Sequence, residues 1–249
     1  HQTFWAAVSR AVRTPSRGEE DLIDNFTAFP APDGTPIVLS VLGRPGFKSE
    51  DLRAYEAGYR VQASHNLSID IAAFYNVYHR LQTNTVGNIF FSPDPVPHLV
   101  EPIYFGNQMN GNTYGVETSA NLKITPFWKV TGSYSFLRMI LRNFSGNPLG
   151  DNAGSNPQHQ FQVRSYIDLP KHLEFDAAAY HVSSLPADNV PAYTRLDARL
   201  AWHVSEGIEF SVGAQNLGSP RHMESFADDA SAVPTWVKRD VYGKISWRF

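Results

Sequence analysis

The end of the chain alternates between apolar and polar residues to its last position. Val241, Gly243, Ile245, Trp247 and Phe249 fall on one side of an extended strand, and Asp240, Tyr242, Lys244, Ser246 and Arg248 on the other. A chain end would ordinarily fray, so a strand that keeps two opposite surfaces to its last residue suits lipid on one face and a wet lumen on the other. The alternative for this segment alone is the edge strand of a soluble sandwich. The same period recurs upstream. Leu67, Ile69, Ile71, Ala73, Tyr75 and Val77 alternate with Ser68, Asp70, Ala72, Phe74, Asn76 and Tyr78. Phe161, Val163, Ser165, Ile167 and Leu169 alternate with Gln160, Gln162, Arg164, Tyr166 and Asp168. Leu196, Ala198, Leu200 and Trp202 face away from Arg195, Asp197, Arg199 and Ala201, and Ile208, Phe210, Val212 and Ala214 from Glu209, Ser211, Gly213 and Gln215.

This pattern predicts strands near residues 2–13, 52–64, 67–83, 112–124, 128–142, 158–169, 173–184, 191–204, 208–217 and 235–249. Several are longer than the roughly 5–6 residues usual in soluble sheets, and they match the roughly 9–11 residues of a tilted bilayer crossing. Tight turns are expected at Ser64 to Asn66, Thr125 to Phe127, Pro170 to His172 and Ser205 to Gly207. The intervening connections, 14–51, 84–111, 143–157, 185–190 and 218–234, are longer. Short turns on one side and long loops on the other are the habit of an outer-membrane barrel, the short side being periplasmic. The fold class expected is therefore all-β, a transmembrane antiparallel up-and-down β-barrel. Cross-strand pairing is expected to set Arg195, Asp197 and Arg199 against Glu174 and Asp176 as a polar ladder on the lumen side.

Composition agrees with this picture. The 249 residues carry a net charge of -3, 13% aromatics and no cysteine, with a mean hydropathy of -0.31. No stretch approaches the roughly 18 apolar residues of a spanning helix, so any crossing is made by strands. The near-neutral charge gives no reason to expect nucleic acid as a partner. The absence of cysteine is compatible with the periplasm.

Five segments, in order, resemble one family. They are Trp5 to Ser16 (WAAVSRAVRTPS), Leu52 to Arg60 (LRAYEAGYR), Asp70 to Asn76 (DIAAFYN), the pair Asn216 and Leu217, and the terminal Trp247 to Phe249 (WRF). Together they look like the carboxy-terminal half of the barrel of a TonB-dependent outer-membrane receptor, over residues 1–249. Gly218 and Ser219 depart from the aromatic and Asp or Asn that often follow Asn-Leu in that family. The resemblance implies a barrel of about 22 strands around an amino-terminal plug, of which this chain would hold about ten strands and no plug. It implies a bacterial outer-membrane location and uptake of a scarce nutrient such as a ferric siderophore. The partners implied are outer-membrane lipid, the TonB complex acting through the plug, the barrel assembly machinery, and a small-molecule or metal-chelate ligand. Ile245, Trp247 and Phe249 resemble the terminal element by which such barrels are recognised for assembly.

The competing reading is an autonomous ten-stranded barrel acting as an enzyme or adhesin. Nine histidines are present, yet His65, His172 and His203 sit beside short turns and His79, His98, His181 and His222 near long loops. None forms a nucleophile elbow or a metal-binding pair. No catalytic residue, metal ligand or cofactor is assigned. Ligand chemistry is sought instead in the loops, where Phe90, Phe91, Tyr104 and Phe105 flank the second long connection and Arg221 and His222 open the last. Aromatic walls with a few placed polar groups suit a ligand site, although loop packing or a membrane-interface girdle would explain Phe105 equally well. The loops 14–51, 84–111 and 218–234 sum to -4, -2 and -2, and with Asp151 and Asp188 the rim reaches -10. Such a rim predicts a neutral or weakly charged ligand held mainly by Phe90 and Phe91.

Overall fold

The computed structural model describes residues 1–145, 153–225 and 235–248. The elements begin with β1 (Gln2–Arg13), a short helix α1 (Arg17–Asp21), β2 (Ile23–Pro30), β3 (Pro36–Leu42) and β4 (Glu50–Ser64). They continue through β5 (Leu67–Val86), β6 (Phe90–Ser92), β7 (His98–Thr125), β8 (Trp128–Asn143), β9 (His159–Leu169) and β10 (Leu173–Val182). The last are β11 (Tyr193–Ser205), β12 (Ile208–Gln215), β13 (Arg221–Ser225), β14 (Thr235–Lys238) and β15 (Asp240–Trp247).

Ten of these strands form a wall in the order β1-β4-β5-β7-β8-β9-β10-β11-β12-β15. With the strands of the long connections set aside, spatial order equals chain order, which is the up-and-down meander expected. Antiparallel neighbours in register share a face, so the period read in one strand can be carried across the whole wall. Phe4 lies opposite Tyr59, Tyr59 opposite Ile71, Ile71 opposite Thr118, Thr118 opposite Tyr134 and Tyr134 opposite Phe161. A second row runs Trp128, Ile167, Phe175, Leu200, Val212, Gly243. The apolar positions thus make one continuous outer surface.

Burial is inverted relative to a soluble sandwich. Leu196 and Leu200 on the apolar face are each 41% exposed, whereas the Arg199 side chain on the charged face is 27% exposed. A face of this apolar area left open is stable only against lipid, which removes the sandwich alternative. Very few apolar side chains are fully buried, among them Phe47, Val100 and Val190. The wall is held by its hydrogen-bonded ladders. On the lumen side, three glycines each lie under an aromatic ring from the neighbouring strand: Gly58 under Trp5, Gly115 under Phe74 and Gly213 under Tyr242. A ring laid over a strand glycine restores the packing that the missing side chain forgoes.

The four tight turns fall at their expected places. The one between β9 and β10 has Lys171 and His172 at φ 65 and 59, the two consecutive left-handed residues of a primed hairpin turn. The long connections differ from expectation because they carry structure of their own. Residues 14–51 contain α1 and the β2–β3 hairpin, and β3 pairs in parallel with the first part of β7. The strand expected at 112–124 starts at His98, and β5 runs on to Val86. The segment expected as one strand over 235–249 is two elements, since Thr235–Lys238 pairs with β13 while Asp240–Trp247 pairs with β12. A two-sided alternation cannot tell a wall strand from a hairpin above the wall, because both alternate.

Candidate functional site

Two regions collect chemistry: the lumen face of β9 to β12 and the crown built by the long connections. On the lumen face, Arg199 of β11 donates to Asp176 of β10 at 2.9 Å and approaches Glu174 at 3.6 Å, and it also pairs with Glu209 of β12. Arg195 donates to Asp197 two residues along its own strand at 2.9 Å. Asp197 also accepts the backbone N–H of Asn216 at 3.0 Å. Asn216 closes β12 in the left-handed region at φ 56 and is fully buried, its amide donating to the Val237 carbonyl at 3.1 Å. Asparagine tolerates that conformation, so the Asn-Leu pair works as a hinge that ties the wall to the β13–β14 hairpin.

The guanidinium groups of Arg164 and Arg195 each stand 5.6 Å from the centre of the Tyr180 ring. Arg164 and Tyr180, with Tyr166, Asp176, Asp197, Arg199 and Tyr242, line a cavity of about 290 Å³. Arg164 meets Tyr166 and Tyr180 and donates to the Gln162 amide oxygen at 2.6 Å, and it pairs with no carboxylate among the described residues. With no carboxylate against it, its charge can meet an anionic group entering the lumen.

The crown is anchored to the wall by charge. Ser16 caps α1 reciprocally with Glu19, and Arg13 at the top of β1 donates to Glu19 at 2.6 Å and to Glu50 at 3.0 Å. Burial alone would raise the Glu19 carboxyl; the Ser16 N–H, the Arg13 guanidinium and the Ser16 hydroxyl outweigh it and hold the group below its ordinary range. Asp51 is likewise paired, with Arg10 at 2.6 Å. Three acids counted in the 14–51 connection are therefore neutralised by strand arginines lying outside it. The rim is less anionic than the loop sums imply, and Asp151, Asp228 and Asp229 lie outside the described residues.

Basic residues, by contrast, are gathered. Arg44, Lys48 and Arg80 line a cavity of about 390 Å³ together with Phe47, Phe105, Asn107 and Gln108, and among the described residues no acidic side chain lines it. Asn107 accepts the Lys48 N–H at 2.6 Å and donates to the Lys48 and Arg80 carbonyls at 2.9 Å each. Arg80 sits in a bulge of β5 at φ 58, with its side chain donating to the Ser49 carbonyl at 2.8 Å.

The sequence candidates divide among separate places. Phe90 and Phe91 are successive residues of β6, opposite Val100 and Leu99. Successive strand residues point to opposite faces, so the pair cannot line one surface together. Phe91 continues a row that runs Phe29, Ile37, Leu99, Phe91 across four strands. Tyr104 lies on β7 against Gly87, and Phe105 lines the basic cavity. Arg221 stacks on Trp236 at 4.5 Å, and His222 stacks on Tyr193 at 4.1 Å while its Nε2 meets Glu224 at 2.8 Å. Among the described residues no hydrogen bond, ion pair or ring contact joins Arg221 or His222 to the four crown aromatics. Ile245 and Trp247 lie on the outer face opposite Phe210 and Ile208, and Phe249 lies outside the described residues. Sequence reading missed the Arg164–Tyr180–Arg195 cluster and the basic cavity. The first was within reach, because the strand period puts all three residues on the lumen face; the second depends on how three distant segments fold together.

Comparison with known proteins places this architecture. The family described as TonB dependent receptor-like, beta-barrel, matches residues 1–217. A curated relative, the probable TonB-dependent receptor BfrD of Bordetella pertussis, is 26% identical over 119 residues, 41% of this chain and 16% of that protein. Among solved structures, the siderophore receptor PirA from Acinetobacter baumannii superimposes with a TM-score of 0.71 at 16% identity, covering 100% of this chain and 39% of that one. The ferric yersiniabactin uptake receptor FyuA from Yersinia pestis gives 0.62 at 20% identity over 98% and 34%. The chain spans less than two fifths of the length of each of these proteins. With the family match extending over most of the wall and the ten wall strands in the expected meander order, the chain belongs to the TonB-dependent receptor β-barrel family.

Proposed function

We propose that residues 1–249 are the carboxy-terminal part of the barrel of an outer-membrane receptor that takes up a scarce nutrient, such as a ferric siderophore, with energy supplied through TonB. The observation that carries this reading is the wall itself, an apolar outer face in unbroken register over a lumen face crowded with charge. Solved relatives of the same fold are described as siderophore and ferric-chelate receptors, which agrees with that substrate class. The plug, the TonB-contacting segment and the remaining strands would be supplied by the longer receptor. Assembly would proceed through the terminal strand, with Ile245 and Trp247 presented outward to the assembly machinery.

An autonomous barrel enzyme or adhesin is the weaker reading. The outer strands β1 and β15 do not pair with each other, and each has one wall neighbour among the described residues. Open edges of that length would invite association.

The ligand proposed is a chelate with an apolar body and an anionic oxygen face, the body meeting the Phe91 row and the oxygens meeting Arg44, Lys48 and Arg80. This replaces the neutral ligand inferred from loop charge alone. The decisive experiment is uptake of a panel of labelled ferric chelates by the native bacterium under iron restriction, with the gene intact or deleted and with TonB present or absent. Loss of uptake of one chelate in both mutants is the expected result. Unchanged uptake of every chelate would overturn the proposal.

A further inference from the structure

Charge on the outer side of the wall is confined to one end and is almost all of one sign. Carrying the face assignment from Trp247 through the strand registers puts Arg10, Asp51, Arg53, Arg138 and Arg142 on the outer face. Apart from Arg80 in its bulge and Glu101 in the part of β7 that pairs with β3, every other Asp, Glu, Lys and Arg of the described wall strands falls on the lumen side. All five outer charges lie toward the long connections. Toward the tight turns the same face presents Trp128, Trp202, Ile245 and Trp247, and no Asp, Glu, Lys or Arg of the described wall strands lies there.

The height of this band is set by the strand. Ten residues separate Trp128 from Arg138 on β8; at about 3.3 Å per residue and a tilt of about 40°, they span roughly 25 Å across the membrane. That is the height of an outer-membrane apolar band, so Arg138 stands at its outer boundary. It is flanked there by a row of tyrosines, since Arg138 lies opposite Tyr114, Tyr114 opposite Tyr75 and Tyr75 opposite Tyr55. Tyrosine favours the level where apolar chains meet headgroups. One step further out Arg10 lies directly opposite Arg53, with side chains 63% and 58% exposed. Like charges face to face are unfavourable. Asp51, tucked beside them and also within the field of Arg80, offsets only part of the repulsion. His79, Asn110 and Asn112 complete the rows. Four exposed arginines against one buried aspartate leave a positive rim that solubility does not require, because it faces lipid and not open water.

We infer that Arg10, Arg53, Arg138 and Arg142 bind the phosphate groups of anionic lipid headgroups in the outer leaflet. A guanidinium donates two parallel hydrogen bonds to a phosphate, and a tyrosine belt directly beneath fixes the depth at which that phosphate sits. The inference rests on the outer-membrane reading above, and the test separates the two.

Full-length receptor purified in neutral detergent is titrated with diphosphoryl lipid A and with the same lipid after dephosphorylation. The wild type is expected to bind the phosphorylated form about tenfold tighter or more. The double variant R53A/R138A should lose most of that preference, R53K/R138K should recover part of it, and Lys129→Ala on the lumen face should leave it intact. Outer-membrane level and heat-modifiability confirm that each variant folds. Equal binding of the two lipids, or a folded R53A/R138A that keeps the preference, overturns the inference. A receptor absent from the outer-membrane fraction would overturn the membrane reading, and the lipid assignment with it.

Discussion

Arg199 on β11 lies directly opposite Asp176 on β10 and donates to it at 2.9 Å, on the face away from Leu200 and Phe175, which oppose each other in the same strand pair. One cross-strand pair therefore reports the register of two strands, since a slip of one residue would turn the charges to lipid and the leucine to water. Arg199 also serves Glu174 and Glu209. Arg199→Ala leaves three partly buried carboxylates without their common cation and should destabilise the barrel by about 1–2 kcal/mol. A drop in the heat-modification temperature of the full-length receptor measures this, and an unchanged temperature would mean that solvent already screens the cluster.

Two wall glycines should respond in opposite ways to the same substitution. A Cβ on Gly115 would collide with the Phe136 carbonyl oxygen and come within 2.7 Å of the Phe74 ring, whereas one on Gly243 would meet nothing within 4 Å. Gly115→Ala should lower the outer-membrane level sharply, because backbone cannot yield as a flexible side chain can. Gly243→Ala should be tolerated. Equal levels of the two variants would contradict the packing described for β7 and β8.

In the crown, Phe91 and Phe90 should be unequal. Phe91 belongs to the row with Leu99, Ile37 and Phe29, and Phe90 faces the other way beside Val100. Phe91→Ala should weaken ligand binding by about 1 kcal/mol or more, roughly fivefold, and Phe90→Ala by less. Arg80→Ala should weaken an anionic chelate further while sparing a neutral one. Ligand titration of the intact receptor decides both, and a larger effect of Phe90→Ala would reverse the face assigned to the ligand.

Acid should loosen the crown before the wall. The folded Glu19 carboxyl lies below its ordinary value of 4.5, so its contribution is fully present above that value and is lost as the pH falls through the lower, folded one. Hydrogen exchange across residues 14–49, corrected for intrinsic pH dependence, should accelerate over that acidic window in the wild type. Glu19→Gln, which cannot ionise, should show less protection at neutral pH and no such transition. Matching profiles for the two proteins would show that Arg13 and Glu19 do not hold the crown.

The wall is written in local alternation. A period of two repeated over more than ten residues admits one partition of side chains between two faces, so the strands, their tight turns and the Arg199–Asp176 ladder were legible from Leu196, Leu200 and their neighbours alone. Above the membrane, contacts between distant segments set the arrangement. Alternation in Thr235–Lys238 looks the same whether it pairs with β12 or folds back on β13, and only the register shows the second. Glu19, Glu50 and Asp51 read as loop acids until the fold brings Arg13 and Arg10 against them. Arg44 and Lys48 lie far in sequence from Arg80, yet the three line one cavity because Asn107 binds the backbone of both segments. A strand's face is a local property, set by the geometry of consecutive residues. The field of a cluster depends on distances between segments that sequence order does not contain.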